Sequence, residues 1–309
     1  MTEDMIIQEL EHSPIEENGQ VKCCIGLLVT LYFENGHTQE KREAIMQCHD
    51  EYWQVAGSYL HWARHPHSAL PTNLTQTSLP PLREWVPQVS PEEDLEIMYH
   101  GGINENDANA YSFKVFGRRK GRKKLSYLSA TLPLSWFNQP FRDQFIDLVH
   151  HFCNLLHPYH CYAGLAVISP IAYWAAREAE FNVYPIARRF PGLEVDYPIS
   201  HVRHLENGIK GVNWLTVLAD KWIEQLGGKS HLQIQLGKDF IFYDYPGGVI
   251  IQAGPHPQLG DVNRQNIPEH YRKLSRLLKS IRVDYPDVLH GDPRGFNRER
   301  TQEWFNRFD

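Results

Sequence analysis

Histidine and cysteine give this 309-residue chain its widest scope for chemistry: it has seventeen of the first and five of the second. His61, His65 and His67 form an H-x3-H-x-H pattern whose first pair would share one helix face. His201 and His204 are close in sequence, as are His150, His151, His157 and His160. A metal site needs further Cys or acid at ligand spacing, and none accompanies these groups. Surface and half-buried histidines therefore account for them, and no metal or other cofactor is assigned. Cys23, Cys24, Cys48, Cys153 and Cys161 are odd in number and contain no C-x-x-C. They read as reduced, buried thiols of a cytoplasmic protein.

Motifs for catalysis are mostly missing. The sequence has no G-x-S-x-G, no H-E-x-x-H and no G-x-G-x-x-G. Gly228-Lys229-Ser230 resembles the end of a phosphate-binding loop, but the earlier glycine is replaced by Ile223. The segment also follows an expected helix, where the motif must open one to aim its N–H groups at phosphate. Nucleases that use an acid followed by Asp/Glu-x-Lys hold a metal with the carboxylates and orient water with the lysine. None of the 37 acids here has a lysine two places on.

Two segments are densely specified. The first runs from Gly208 to Leu218 and holds Gly211, Asn213 and Trp214. It reads as a glycine-punctuated entry to a helix, with Asn213 as N-cap. The second runs from Gly248 to Asn263, through Gln252, Gly254, Pro255, Gly260 and Asp261. It reads as a buried strand breaking into a loop whose polar side chains bond local backbone. Fold-defining turns and packing suffice for both. A His/Asp-dependent hydrolase or metal-dependent enzyme built on His256 and Asp261 is the competing reading.

The charges are unevenly placed. Lys and Arg number 31 against 37 Asp and Glu, a formal charge of -6. Glu3, Asp4, Glu9, Glu11, Glu16 and Glu17 fall in residues 1–20 with no base among them, so this arm holds the whole excess. A solvated, frayed terminus explains it, and a steering patch for a basic partner is the sharper reading. The densest basic run, Arg118 to Lys124, reads as a solvated hairpin tip between turn glycines Gly117 and Gly121. As a nucleic-acid site it is short, in a chain that is acidic overall. No apolar run approaches the ~18 residues of a membrane span. The acidic start lacks the basic region of a secretory signal.

The elements that would position these residues can be read from periodicity. Val21–Phe33 is apolar nearly throughout and predicts a central strand. Ile45, Cys48, Tyr52, Val55, Tyr59 and Trp62 recur at helical spacing. Six prolines between Pro66 and Pro91 predict an irregular connection. Leu95–His100, Ala110–Phe116 and Leu125–Leu132 predict an antiparallel meander. A helix over 141–155, a strand over 160–168 and a short helix over 172–181 follow, then an irregular stretch over 185–206. Beyond it we expect a helix over 212–226 ended by Gly227-Gly228, and strands over 232–236, 240–243 and 249–253. A helix over 268–281 and a short one in the tail complete the reading. The fold class is α+β, with mixed or antiparallel sheet flanked by helices. After the 1–20 arm, a 21–283 domain would comprise two sheet-and-helix halves, about 21–200 and 206–283, sharing a core. Residues 284–309 would form a tail.

GIKGVNWLTVL, LGG, GGVIIQAGPHPQLGDVN and IPEHYRKLSRLLKSIR resemble the signature of the type VI secretion immunity family formerly known only as a domain of unknown function. The resemblance is tight over 206–283 and diffuse over 21–200. It implies a non-enzymatic cytoplasmic antidote to a VRR-Nuc or related restriction-endonuclease-like effector, with no direct contact to nucleic acid or membrane. Such a protein would occlude the nuclease's DNA-binding or active site. On that reading the contact residues are acid clusters: Glu92, Glu93, Asp94 and Glu96 beside Trp85, then Glu105 and Asp107 in a Gly/Asn loop. The signature positions (Gly208, Gly211, Asn213, Trp214, Gln252, Gly254, Pro255, Gly260 and Asp261) would be structural.

Overall fold

The computed structural model describes residues 3–11, 13–122, 125–138, 140–284, 289 and 294–309. Helix α1 (Glu3–Glu11) and strand β1 (Ile15–Glu17) lead into β2 (Gln20–Phe33), α2 (Gln39–Ala56), β3 (Trp62–Arg64), β4 (Pro71–Asn73) and α3 (Leu82–Trp85). The meander β5 (Leu95–His100), β6 (Ser112–Gly117) and β7 (Ser126–Pro133) follows. Next come α4 (Phe141–Leu156), β8 (His160–Ile168), α5 (Tyr173–Arg189), β9 (Glu194–Val195) and α6 (Pro198–His201). The chain ends with β10 (Leu215–Ala219), α7 (Asp220–Gln225), α8 (Lys229–Leu236), β11 (Phe240–Tyr245), β12 (Gly248–Ala253), α9 (Glu269–Leu277) and α10 (Arg298–Phe305).

The strands form one sheet in the order β11-β12-β10-β8-β2-β7-β6-β5-β3-β4, with β1 on β2 and β9 on β8. Every pairing is antiparallel except β8 with β9. The architecture is α+β, and β2 is central, as its unbroken apolar run predicts. Because side chains alternate along a strand, register partners share a face. One row across the sheet reads Tyr99, Phe113, Ala130, Val29, Ala163, Leu215. The next reads Met98, Lys114, Ser129, Thr30, Tyr162, Thr216. The sheet thus has one greasy face and one polar face.

α2 and α4 cover the greasy face. Tyr52 of α2 packs on Phe113 with ring centres 5.3 Å apart and tilted by 35°, and donates its hydroxyl to the Thr131 carbonyl at 2.8 Å. Ile45, Cys48, Phe145, Val149 and Phe152 are all buried. α5 and α6 lie against the polar face, contacting β2, β8 and β7. The leading arm is folded instead of frayed: Ile6 and Ile7 of α1 are buried, and β1 extends the sheet. All five cysteines are free, and burial pushes the Cys23 and Cys24 thiols up to about 12.

Four expectations need correction. The helix expected through Trp62 stops at Ala56, leaving Val55 and Tyr59 exposed and Trp62 in β3. The helix beginning near 172 runs on to Arg189, with Pro185 inside it. Residues 212–226 are a strand followed by a short helix, so Asn213 caps nothing: its Oδ1 accepts from the Trp214 N–H. Residues 232–236 belong to α8, where Leu232 and Leu236 are buried and Ile234 points to solvent.

Candidate functional site

The polar face is only partly covered, and at the β3–β5–β6 end it opens into a cleft of about 650 Å³. Alternation on β5 and β6 points Glu96, Met98, His100 and Lys114 into it, and Tyr127 of β7 completes the floor. Trp62 and Arg64 of β3 form one wall, and Tyr173, Tyr197 and Arg203 form the other. Arg64 is committed to Glu96, with Nη1 to Oε2 at 2.6 Å. Trp62 stacks on His100 at 6.4 Å and donates its indole N–H to the Ile103 carbonyl. Lys114 Nζ lies 5.8 Å from the Tyr127 ring centre and makes no hydrogen bond or ion pair among the described residues. Burial pulls its pKa below the usual lysine value, against the opposing pull of Asp196 and Glu96.

Behind the floor lies a buried polar network. Asp196 accepts from Thr30 Oγ1 at 2.6 Å, Tyr162 OH at 2.6 Å and Ser129 Oγ at 3.2 Å. His201 Nδ1 is 3.6 Å from its carboxylate and Lys210 Nζ is 4.0 Å away. Burial alone would raise the Asp196 carboxyl, yet the hydrogen bond from His201 and the Lys210 charge hold it below the carboxylate range. Lys210 donates to Glu194 Oε1 and to the Val195 carbonyl, both at 2.7 Å. Arg307, from the C-terminal end, approaches Glu194 Oε2 at 3.8 Å. Tyr162, at the centre, has its hydroxyl pushed well above the usual value by burial and by Asp196. The network fixes the cleft's back wall.

The residues singled out in the sequence disperse. Glu96 and Glu105, from different clusters, meet at the cleft. Glu92, Glu93 and Asp94 are exposed on the turn before β5. Asp94 accepts from the backbone N–H of Arg119 at 2.8 Å, so the acid turn and the basic hairpin tip adjoin. Lys123 and Lys124 of that tip lie outside the described residues. Trp85 is buried, and so is Asp107, whose carboxylate accepts from the backbone N–H groups of Val21 and Asn104. These two are core and turn residues, not exposed members of an acid cluster. Among the described residues no group of three or more His, Cys, Asp or Glu converges as metal ligands would.

The described contacts of the densely specified segments are with the chain itself. Trp214 is fully buried and donates its indole N–H to the Gly254 carbonyl, which also accepts from Gln252 Nε2. Gly254 has φ +84°, a region an L side chain rarely adopts. Gly260 combines φ +67° with a neighbour, Pro268 Cδ, 2.6 Å from where a Cβ would stand. Gly208 and Gly211 flank Ile209, whose backbone bridges to Arg282, and Lys210. Asp261 accepts from the Asn263 N–H and pairs with Arg189 at 3.2 Å. His256 and Pro255 are exposed, with His256 edge-on to Phe137, and no hydrogen bond joins His256 to Asp261 among the described residues.

A sequence model described as "TsiV: Type VI immunity for VRR-NUC" matches residues 44–308. The chain belongs to the TsiV family. It is also similar to a solved structure, "Pseudomonas aeruginosa T6SS protein PA0821", with a TM-score of 0.86 and 30% sequence identity over 95% of this chain and 84% of that one. A search of curated proteins finds no match. The TsiV match spans β7, β8, the cleft and both dense segments. Among the described residues, no helix of this TsiV chain is long and apolar enough to cross a membrane.

Two buried imidazoles give this TsiV fold a pH dependence. Burial lowers His100 to about 4, against the pull of Asp107, and its Nδ1 accepts from the Gly102 N–H. Burial likewise lowers His160 to about 3 while its Nδ1–H donates to the Val217 carbonyl. Both are neutral when folded and return to near 6.5 when unfolded, so the unfolded chain binds more protons below that pH. Stability is therefore full above about pH 6.5 and falls by several kcal/mol as pH drops toward 4. Urea unfolding at pH 7.5 and 4.5 should show the loss, with a shallower dependence for His160→Phe. An unchanged dependence would count against this assignment.

Proposed function

We propose that this chain is a cytoplasmic, non-enzymatic immunity protein that binds a VRR-Nuc-type effector and covers its DNA-binding or active site. Membership of the TsiV family over 44–308 carries the reading. The formal charge of -6 supports it, since a surface that grips DNA must be basic. Exposed Glu92, Glu93 and Asp94 would raise the association rate at the rim of the contact. Neutralising a lethal reaction calls for nanomolar affinity or better, about 12 kcal/mol.

A binding inhibitor acts by stoichiometry. Titrating the purified chain into a fixed concentration of the purified nuclease should abolish DNA cleavage at one equivalent, and the two should co-elute. Complete protection at a few hundredths of an equivalent would mean that the chain modifies the nuclease or its substrate, and would overturn the proposal. So would survival of nuclease-expressing cells with no complex formed.

A further inference from the structure

We infer that the cleft is the anchor site for the nuclease: it takes an exposed turn bearing an apolar side chain beside a carboxylate. This rests on the proposed immunity function and adds where the partner is held and what chemistry is held there. The volume, about 650 Å³, suits one or two inserted side chains, in the range that binding pockets typically span. Its floor is aromatic and aliphatic at Tyr127 and Met98.

The charge balance of the cleft selects the polar part of the occupant. Arg64 and Glu96 neutralise each other. Lys114, half-buried, and Arg203, exposed, have no acid within ion-pair distance among the described residues. Among the described lining residues, exposed Glu105 is the one acid not already in an ion pair. Two uncommitted cations against one acid favour an incoming carboxylate, and a half-buried lysine gains most from one because water screens it least.

The rim indicates a protein and not a small molecule. Trp174 is 67% exposed and Tyr173 46%, packed edge-to-face with each other at the start of α5. Across the cleft, Ile103 is 85% exposed beside Trp62, and Leu70 is 64% exposed between the lining residues Ala69 and Pro71. Large apolar side chains ringing a pocket that holds charged side chains match the anchor-and-rim anatomy of interface hot spots, which are rich in Trp, Tyr and Arg. A small ligand would use the floor and leave this ring in water. The acid turn and the cleft then have different roles: one steers the basic partner, and the other locks onto an acidic turn within it.

The test measures binding of the full chain to the VRR-Nuc effector that it neutralises, by calorimetry, with variants outside the core. Trp174→Ala with Arg203→Glu should weaken Kd at least thirtyfold, and Lys114→Met at least tenfold, with melting temperatures near wild type. Glu92, Glu93 and Asp94 changed together to Lys should slow association and leave dissociation nearly unchanged. Wild-type affinity in the Trp174/Arg203 variant, with wild-type protein still binding, would overturn the cleft assignment and leave the immunity function standing. Absence of any wild-type complex would remove both. Saturable binding of indole-3-acetate, with effector affinity unmoved by the cleft variants, would assign the cleft to small carboxylates and overturn the anchor.

Discussion

Replacing Lys210 with Met should lower the unfolding free energy by about 3–5 kcal/mol, the loss expected when one partner of a buried ion pair is removed. Lys210 is 3% exposed and Glu194 4%, and the Lys210 ammonium also faces Asp196 at 4.0 Å. Without it, two carboxylates share a dry site, with Arg307 left beside Glu194 and His201 beside Asp196. Burial already lowers the Lys210 pKa, and Glu194 and Asp196 oppose that. Chemical unfolding at neutral pH measures the loss, with exposed Lys238→Met as a control expected to change little. Adding Glu194→Gln should recover part of it, because the uncompensated charge, more than the missing contacts, sets the cost. A destabilisation below about 1 kcal/mol would show that the network is not a paired-charge keystone.

Trp214→Ala should be of similar size, about 3–5 kcal/mol, with Trp214→Phe well below it. The indole is fully buried, stacks on Phe145 at 6.4 Å and ties β10 to the loop after β12 through the Gly254 carbonyl. Alanine leaves a cavity and removes one of the two hydrogen bonds to the Gly254 carbonyl, whereas phenylalanine keeps most of the packing. In cells the alanine variant should lose protection because less folded protein is present. The folded fraction should still bind the nuclease with unchanged affinity, which separates a structural signature residue from a contact residue. A weakened Kd per folded molecule would place Trp214 in the interface.

Much of the fold was legible because the helices carry one-sided apolar stripes and the long buried strands are apolar or β-branched runs. The meander, α4, β8 and α9 fall where those patterns place them. The failures lie where the spacing is ambiguous. Leu215, Leu218 and Trp222 fall at helical intervals, but β10 is buried on both faces, so its apolar positions carry no period. The β-branched pair Thr216-Val217 was the better signal. LQIQL alternates like a strand, yet Leu232 and Leu236 are four apart and share the buried side of α8. The cleft was half visible. Glu96 and Glu105 were singled out for their charge, but the wall opposite them comes from residues 171–173 and 197–203, which periodicity could not place. Lys114 was passed over because a lone lysine on an alternating strand looks like any solvent-facing position.

The strand order also determines when the sheet can close around β2. β2 emerges early from the ribosome, yet its neighbours β7 and β8 come much later; Tyr32 and Tyr162, which share a hydrogen bond, are 130 residues apart in sequence. At about 5–20 residues per second, translation leaves the greasiest segment of the chain waiting on the order of ten seconds for either flanking strand. Long-range pairing of this kind also slows folding once synthesis ends. On the immunity function proposed above, protection follows synthesis by at least that interval.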